Sequence, residues 1–226
     1  MSEVLLPSGR SAEDLADRLA LYLVADPDAT SRDLLDDVQA ALAGGVTCVQ
    51  LRSKTHEGYD LWRLSMALKR ICEEFDALFI VNDRVDVAIA SNADGVHLGV
   101  GDLPIDITRS MTPPGFIIGF SPDTMDDVRA TRRLGADYAG IGPVFATGSK
   151  GDAGSPIGLD GLAIKAAAVD VPTVGIGGIS LETAPSVIRA GAVGVAVIGA
   201  IHKHEDPEQA ARDLRRAVDE ARTSPR

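Results

Sequence analysis

Gln50, Arg52 and Lys54 alternate with Val49, Leu51 and Ser53. On an extended chain alternate residues face one way, so an amide and two cations would converge. That set suits a cluster of phosphate oxygens together with an amide-reading contact. Solvated loop charges are the bland alternative, and it fails for Gln50, because an amide inside a buried strand needs a partner. Asn82, Asp83 and Asp102 follow the next two apolar runs. Two carboxylates and an amide are the hard oxygen donors that Mg²⁺ takes, with waters and substrate phosphates completing its shell. Capping of a following helix is the rival role for Asn82 or Asp83; taken with Asp102, metal binding is the better reading.

Further along, Ser121 stands before Pro122 and an expected helix, where a hydroxyl serves either a phosphate or a cap. The loop over 142–152 carries Thr147, Ser149 and Lys150, two hydroxyls and an ammonium within four residues. Its glycines would let it close over a ligand, and a loop of this length in a compact fold is more often functional than not. Gly175, Gly177 and Gly178, and then the Ile198–Gly199 pair, would let backbone N–H groups approach an oxyanion. His97 is either a base or an interior histidine with a satisfied ring. His202 and His204 are two apart on an expected helix and share no face, and His56 belongs to a loop surface. No nucleophile–base pair stands out, which weighs against hydrolysis through a covalent intermediate.

Eight apolar runs position these groups, at 21–24, 48–51, 78–81, 95–98, 116–120, 138–141, 173–176 and 193–198. Each is of strand length, aliphatic and without period-2 polarity, the pattern of parallel strands buried on both faces. Amphipathic helical segments separate them at 31–43, 59–75, 84–91, 124–134, 159–168 and 181–190, with a short one at 105–111 ended by Pro113 and Pro114. Eight βα repeats point to an α/β fold of the (β/α)₈ TIM-barrel type in a single domain. An open doubly wound sheet is the rival, but its first turn would carry phosphate-binding glycines, and the turn here is Ala25, Asp26, Pro27. In a barrel, active sites gather at the C-terminal ends of the strands, where every group named above falls. The segments GG at 44–45, NADG at 92–95, GAD at 135–137 and GAVG at 191–194 each end a helix and start a strand, so they read as stability signals of the opposite face. The expected organisation is an N-terminal segment over 1–19 with a short capping helix from residue 12, frayed through residue 10, a barrel over 20–222, and a frayed tail over 223–226.

Composition agrees with an aliphatic core: 45% of the 226 residues are hydrophobic but only 4% aromatic, and 23 glycines supply the turns. A net charge of −11 argues against nucleic acid or an anionic membrane as partner, since either needs a broad basic face. Cys48 and Cys72 read as free buried thiols. Neither a signal-like start nor a membrane-length apolar run is evident, so a cytoplasmic location is expected.

Over residues 20–205 the chain resembles the thiamine phosphate synthase family. The match runs through Tyr22-Leu23-Val24, the GGVT at 44–47, the QLRSK at 50–54 and the FIVNDRVD at 79–86. It continues through the ADGVHLG at 93–99, the GADY at 135–138, the GPVF at 142–145 and the GIGGI at 175–179. The resemblance implies a transferase that joins an aminopyrimidine diphosphate to a thiazole phosphate with release of pyrophosphate. It implies Gln50, Arg52, Lys54 and Asn82 on the aminopyrimidine diphosphate, Asp83 and Asp102 on Mg²⁺, and Ser121 and Lys150 on substrate and phosphate. Thr147 and Ser149 would lie at the thiazole phosphate, with Gly177, Ile198 and Gly199 around it; Arg52, Lys54, Ser121 and Lys150 would carry the catalysis. Homo-oligomerisation is an option it leaves open. The sequence departs from the family pattern at Pro122-Asp123, where a small residue and His are usual, at Ser149 for Thr, and at Gly199 for Ser. Loss of the Ser hydroxyl should cost about 1 kcal/mol of binding. A thiazole tautomerase is the neighbouring alternative, disfavoured by Asp123 in place of that His and by both metal carboxylates being present. A catalytically silent barrel that binds a thiamine precursor is another.

Overall fold

The computed structural model describes residues 4–148 and 154–224. Eight parallel strands close on themselves in sequence order: β1 (Leu21–Ala25), β2 (Cys48–Leu51), β3 (Leu78–Asn82), β4 (Gly95–Gly99), β5 (Ile117–Ser121), β6 (Tyr138–Ile141), β7 (Thr173–Ile176) and β8 (Gly194–Val197). Closure is completed by pairing of Leu21 to Leu23 with Val195 to Val197. The strands are buried along almost their whole length, as β-branched and aliphatic runs covered on both faces must be.

Helices α1 (Ala12–Arg18), α2 (Leu34–Ala43), α3 (Gly58–Glu74), α4 (Val85–Ala90), α5 (Ile105–Met111), α6 (Met125–Leu134), α7 (Gly158–Ala168), α8 (Ala184–Arg189), α9 (Gly199–His202) and α10 (Pro207–Thr223) surround the barrel. The helix-to-strand returns take left-handed residues, Gly135 at φ 108° after α6 and Asn92 at φ 54° after α4, the latter a residue type that tolerates this region. Beside them Asp94 and Asp137 each precede a strand and accept from the backbone amide of a neighbouring strand, Phe79 at 2.8 Å and Ile118 at 2.8 Å. Those repeated segments therefore hold the face opposite the strand ends.

Two regions differ from the sequence expectations. Residues 4–11 are docked rather than frayed: the Ser8 amide donates to Asp137 Oδ1 at 2.7 Å, Arg10 Nε donates to the Gly115 carbonyl at 3.0 Å, and Leu6 is buried. Helix α8 starts at Ala184 rather than 181. The Ser180 amide is taken by Thr183 Oγ1 at 2.9 Å, and Pro185 in the first turn needs no amide partner. Helix α10, capped by Asp206 accepting from the Gln209 amide at 3.0 Å, packs on α2 and α8.

Candidate active site

The C-terminal ends of β4 to β8 surround a cavity of about 570 Å³. Its lining includes Ser121 at the end of β5 with Pro122 and Asp123 after it, Thr147 from the loop after β6, Gly177 after β7, and Ile198 and Gly199 after β8. Four groups expected from the sequence, Ser121, Thr147, Gly177 and the Ile198–Gly199 pair, thus meet at one mouth. Ser149 and Lys150 lie outside the described residues. No Arg or Lys lines the cavity among the described residues; its polar lining is hydroxyls, backbone groups and the Asp123 carboxylate.

The glycines after β7 have a packing reason as well. Phe145 N donates to the Gly177 carbonyl at 3.0 Å and Val144 N to that of Ile176 at 2.9 Å, zipping the β6 loop onto β7. A Cβ on Gly177, whose φ is 100°, would fall 2.6 Å from Pro143 Cβ. Only glycine fits both the left-handed turn and that close approach.

On the other side of the rim, β2 carries Gln50 and is followed directly by Arg52, both buried. Gln50 Nε2 donates to the Tyr22 hydroxyl at 2.7 Å, the partner that its burial demands. Arg52 Nη1 donates to Asp26 Oδ2 at 3.0 Å, with both side chains under 10% exposed. Arg52 lies one residue beyond the end of β2 and stays buried, whereas Lys54, three beyond, sits on an exposed bend.

Asn82 ends β3 and pairs in register with His97 of β4. Asp83, at φ 60°, donates its amide to the His97 carbonyl at 2.9 Å. Two residues beyond His97, the Gly99 amide donates to Asp102 Oδ2 at 2.7 Å. Both carboxylates therefore stand at neighbouring strand ends on the same rim. Arg84, not Asp83, takes the N-cap position of α4, and the left-handed backbone of Asp83 is the kind of local strain found at functional positions. Among the described residues no three His, Cys, Asp or Glu side chains cluster as a metal cage. Two carboxylates and the Asn82 amide offer the hard oxygen donors that Mg²⁺ takes, so by chemistry they fit that ion.

His97 is an interior histidine with both nitrogens engaged, Nδ1 2.9 Å from the Tyr138 hydroxyl and Nε2 2.8 Å from Ser121 Oγ. Tyr138 also lies 2.8 Å from the Tyr22 hydroxyl. Burial pushes both phenols well above their usual range. Asp26 and Tyr138 are groups of the site that sequence reasoning did not assign. A lone acid after β1, and polar rings within otherwise aliphatic strands, were the available signals.

The thiamine monophosphate synthase family profile matches residues 21–201. Thiamine-phosphate synthase of Moorella thermoacetica is 50% identical over 191 residues, covering 84% of this chain and 91% of that protein. The Chlorobium luteolum thiamine-phosphate synthase is 47% identical over 194 residues, covering 86% and 90%. The solved thiamine phosphate pyrophosphorylase from Pyrococcus furiosus superposes with a TM-score of 0.83 at 37% identity, covering 92% of this chain and 98% of that one. By the extent and identity of these matches, the chain belongs to the thiamine monophosphate synthase family.

Proposed function

We propose that this protein is a thiamine phosphate synthase, transferring the aminopyrimidinylmethyl group from its diphosphate to a thiazole phosphate. The observation that carries this reading is the pair Asp83 and Asp102 on adjacent strand ends, beside a cavity rimmed by Ser121 and the loops after β6 to β8. In the reaction the methylene C–O bond breaks and both electrons leave with pyrophosphate; the thiazole nitrogen lone pair then forms the new C–N bond. Asp83 and Asp102 would hold Mg²⁺, which neutralises charge on the diphosphate when bound.

The chain's own residues supply position and charge. Arg52 and Lys54 face the departing pyrophosphate together with Ser121 and Lys150. Gln50 and Asn82 read the aminopyrimidine. Thr147 and Ser149, with the backbone of Gly177, Ile198 and Gly199, seat the thiazole phosphate. Holding both reactants in register while stabilising the developing anion requires no protein nucleophile. Small-molecule substrates and an aqueous, cytoplasmic setting suit such chemistry. No helix among the described residues is long and apolar enough to cross a membrane.

Purified protein with Mg²⁺, the pyrimidine diphosphate and the thiazole phosphate should release pyrophosphate and form thiamine phosphate. Asp83→Ala should lower turnover by at least about a hundredfold with the fold retained by circular dichroism. Wild-type protein that binds both substrates without turnover would refute the proposal and favour a silent binder.

A further inference from the structure

Five polar side chains inside the barrel form one continuous hydrogen-bonded file: Gln50, Tyr22, Tyr138, His97 and Ser121. We propose that this file is a positioning relay, in which His97 holds the Ser121 hydroxyl as a hydrogen-bond donor into the cavity. What that donor meets, the departing pyrophosphate, rests on the reaction proposed above. The relay itself rests on geometry.

The order of donors is set at the buried end. Gln50 presents its amide nitrogen to Tyr22, 2.7 Å away, and such a nitrogen can only donate. The Tyr22 oxygen therefore accepts, and its single proton goes to the Tyr138 oxygen at 2.8 Å. Tyr138 then donates to His97 Nδ1 at 2.9 Å. With Nδ1 accepting, the neutral ring carries its proton on Nε2, which donates to Ser121 Oγ at 2.8 Å. The Ser121 proton is left for the cavity that this residue lines.

Running the file backwards would bring two donors onto the Tyr22 oxygen. Its own proton would then be left, in a fully buried place, with only the sulfur of Cys48, a weak acceptor. Exchanging a hydroxyl acceptor for a thiol leaves a buried donor poorly met, which is costly, so the forward order wins.

The barrel makes room for the file. A Cβ on Gly119 of β5 would fall 2.2 Å from Tyr138 Cζ and 2.5 Å from His97 Nδ1; one on Gly140 of β6 would fall 3.1 Å from His97 Cε1 and 3.3 Å from Ser121 Oγ. Two glycines thus vacate the space that the rings fill, and the rings are wedged in place. A serine hydroxyl beside an imidazole can donate to it or accept from it. Fixing it as an acceptor from His97 leaves its proton aimed at the ligand before charge develops, so no reorientation is needed at the reacting moment.

The test is nitrogen NMR on the native chain labelled at its four histidines, with His97 assigned by its loss in His97→Gln. We expect a neutral His97 with its proton on Nε2; a proton on Nδ1, or on both nitrogens, overturns the relay whatever the catalytic data show. In turnover, Tyr138→Phe should lower kcat about tenfold and leave both KM values within about twofold. His97→Gln, which keeps an amide donor at Ser121, should retain more kcat than His97→Leu. Tyr138→Phe should add nothing to the loss already caused by Ser121→Ala. An unchanged kcat in Tyr138→Phe, or losses that multiply with Ser121→Ala, would count against the relay. An inactive wild type would refute the proposed reaction alone, because the tautomer measurement requires no turnover.

Discussion

Asp26 and Arg52 come from different strand ends and are nearly closed off from water, with the guanidinium Nη1 3.0 Å from the carboxylate. Deleting one member of such a pair leaves the other as an uncompensated buried charge, which costs about 3–5 kcal/mol. A chain of this size loses about 2–4 °C of Tm per kcal/mol, so Asp26→Ala should melt about 6–20 °C below the wild type. Asp26 Oδ1 also accepts from the Asp28 amide at 3.0 Å, so the turn after β1 loosens too. If Arg52 faces the diphosphate, pyrophosphate supplies the missing negative charge. The increase in Tm on adding pyrophosphate with Mg²⁺ should then be larger for Asp26→Ala than for the wild type. Differential scanning calorimetry with and without pyrophosphate reads both quantities. An Asp26→Ala protein that melts with the wild type would refute the buried-pair reasoning. Equal ligand shifts would remove Arg52 from the diphosphate site.

Three other outcomes are expected. The nearest atoms a Cβ on Gly199 would meet belong to the flexible stem of Lys203, at 3.3 Å, so Gly199→Ser should fold normally. Its added hydroxyl should lower KM for the thiazole phosphate about fivefold, from about 1 kcal/mol of hydrogen bonding, and an unchanged KM would show that residue 199 does not touch that phosphate. Burial and the neighbouring Asp94 carboxylate push the Cys72 thiol up to about 12, and burial pushes Cys48 well above its usual range. A thiol reagent should therefore find neither cysteine in the native protein and both after denaturation; rapid native labelling would contradict this. Burial works to raise the Asp37 carboxyl, but hydrogen bonds from Arg32 and His202 outweigh it and hold the group below its usual range. The unfolded chain then binds that proton first, so this stabilisation is full above the ordinary carboxylate pKa of about 3.9 and is lost as pH falls through the folded value. Asp37→Asn should flatten the acid side of the stability–pH curve, measured by urea unfolding, and a parallel curve would show that Asp37 is not responsible.

The fold was legible because parallel buried strands leave an unmistakable trace: short aliphatic runs without alternation, spaced by helical segments. All eight runs became strands, and the barrel then brought the residues trailing them to one rim. Hence Asp83 with Asp102, and Ser121 with Thr147 and Gly199, were readable as groups from their positions after strands. Local chemistry also identified the helix returns, since a left-handed residue is a requirement of a few consecutive positions.

The remaining features depend on contacts across the barrel or its surface, which no local pattern encodes. Tyr22 meets Tyr138 across 116 positions of chain and His97 meets Tyr138 across 41, so a polar file within aliphatic strands emerges only once the sheet has closed. Asp26 meets Arg52 because β1 pairs with β2 in the register that sets Ala25 against Leu51, across 26 positions of chain. The N-terminal segment is ordered by an amide reaching Asp137, 129 positions away. Residue types and their spacing along the chain determine which elements form and what each strand end carries. Which buried polar groups find one another is decided by the closed barrel, because burial makes every unpaired donor costly and only the tertiary arrangement supplies the partners.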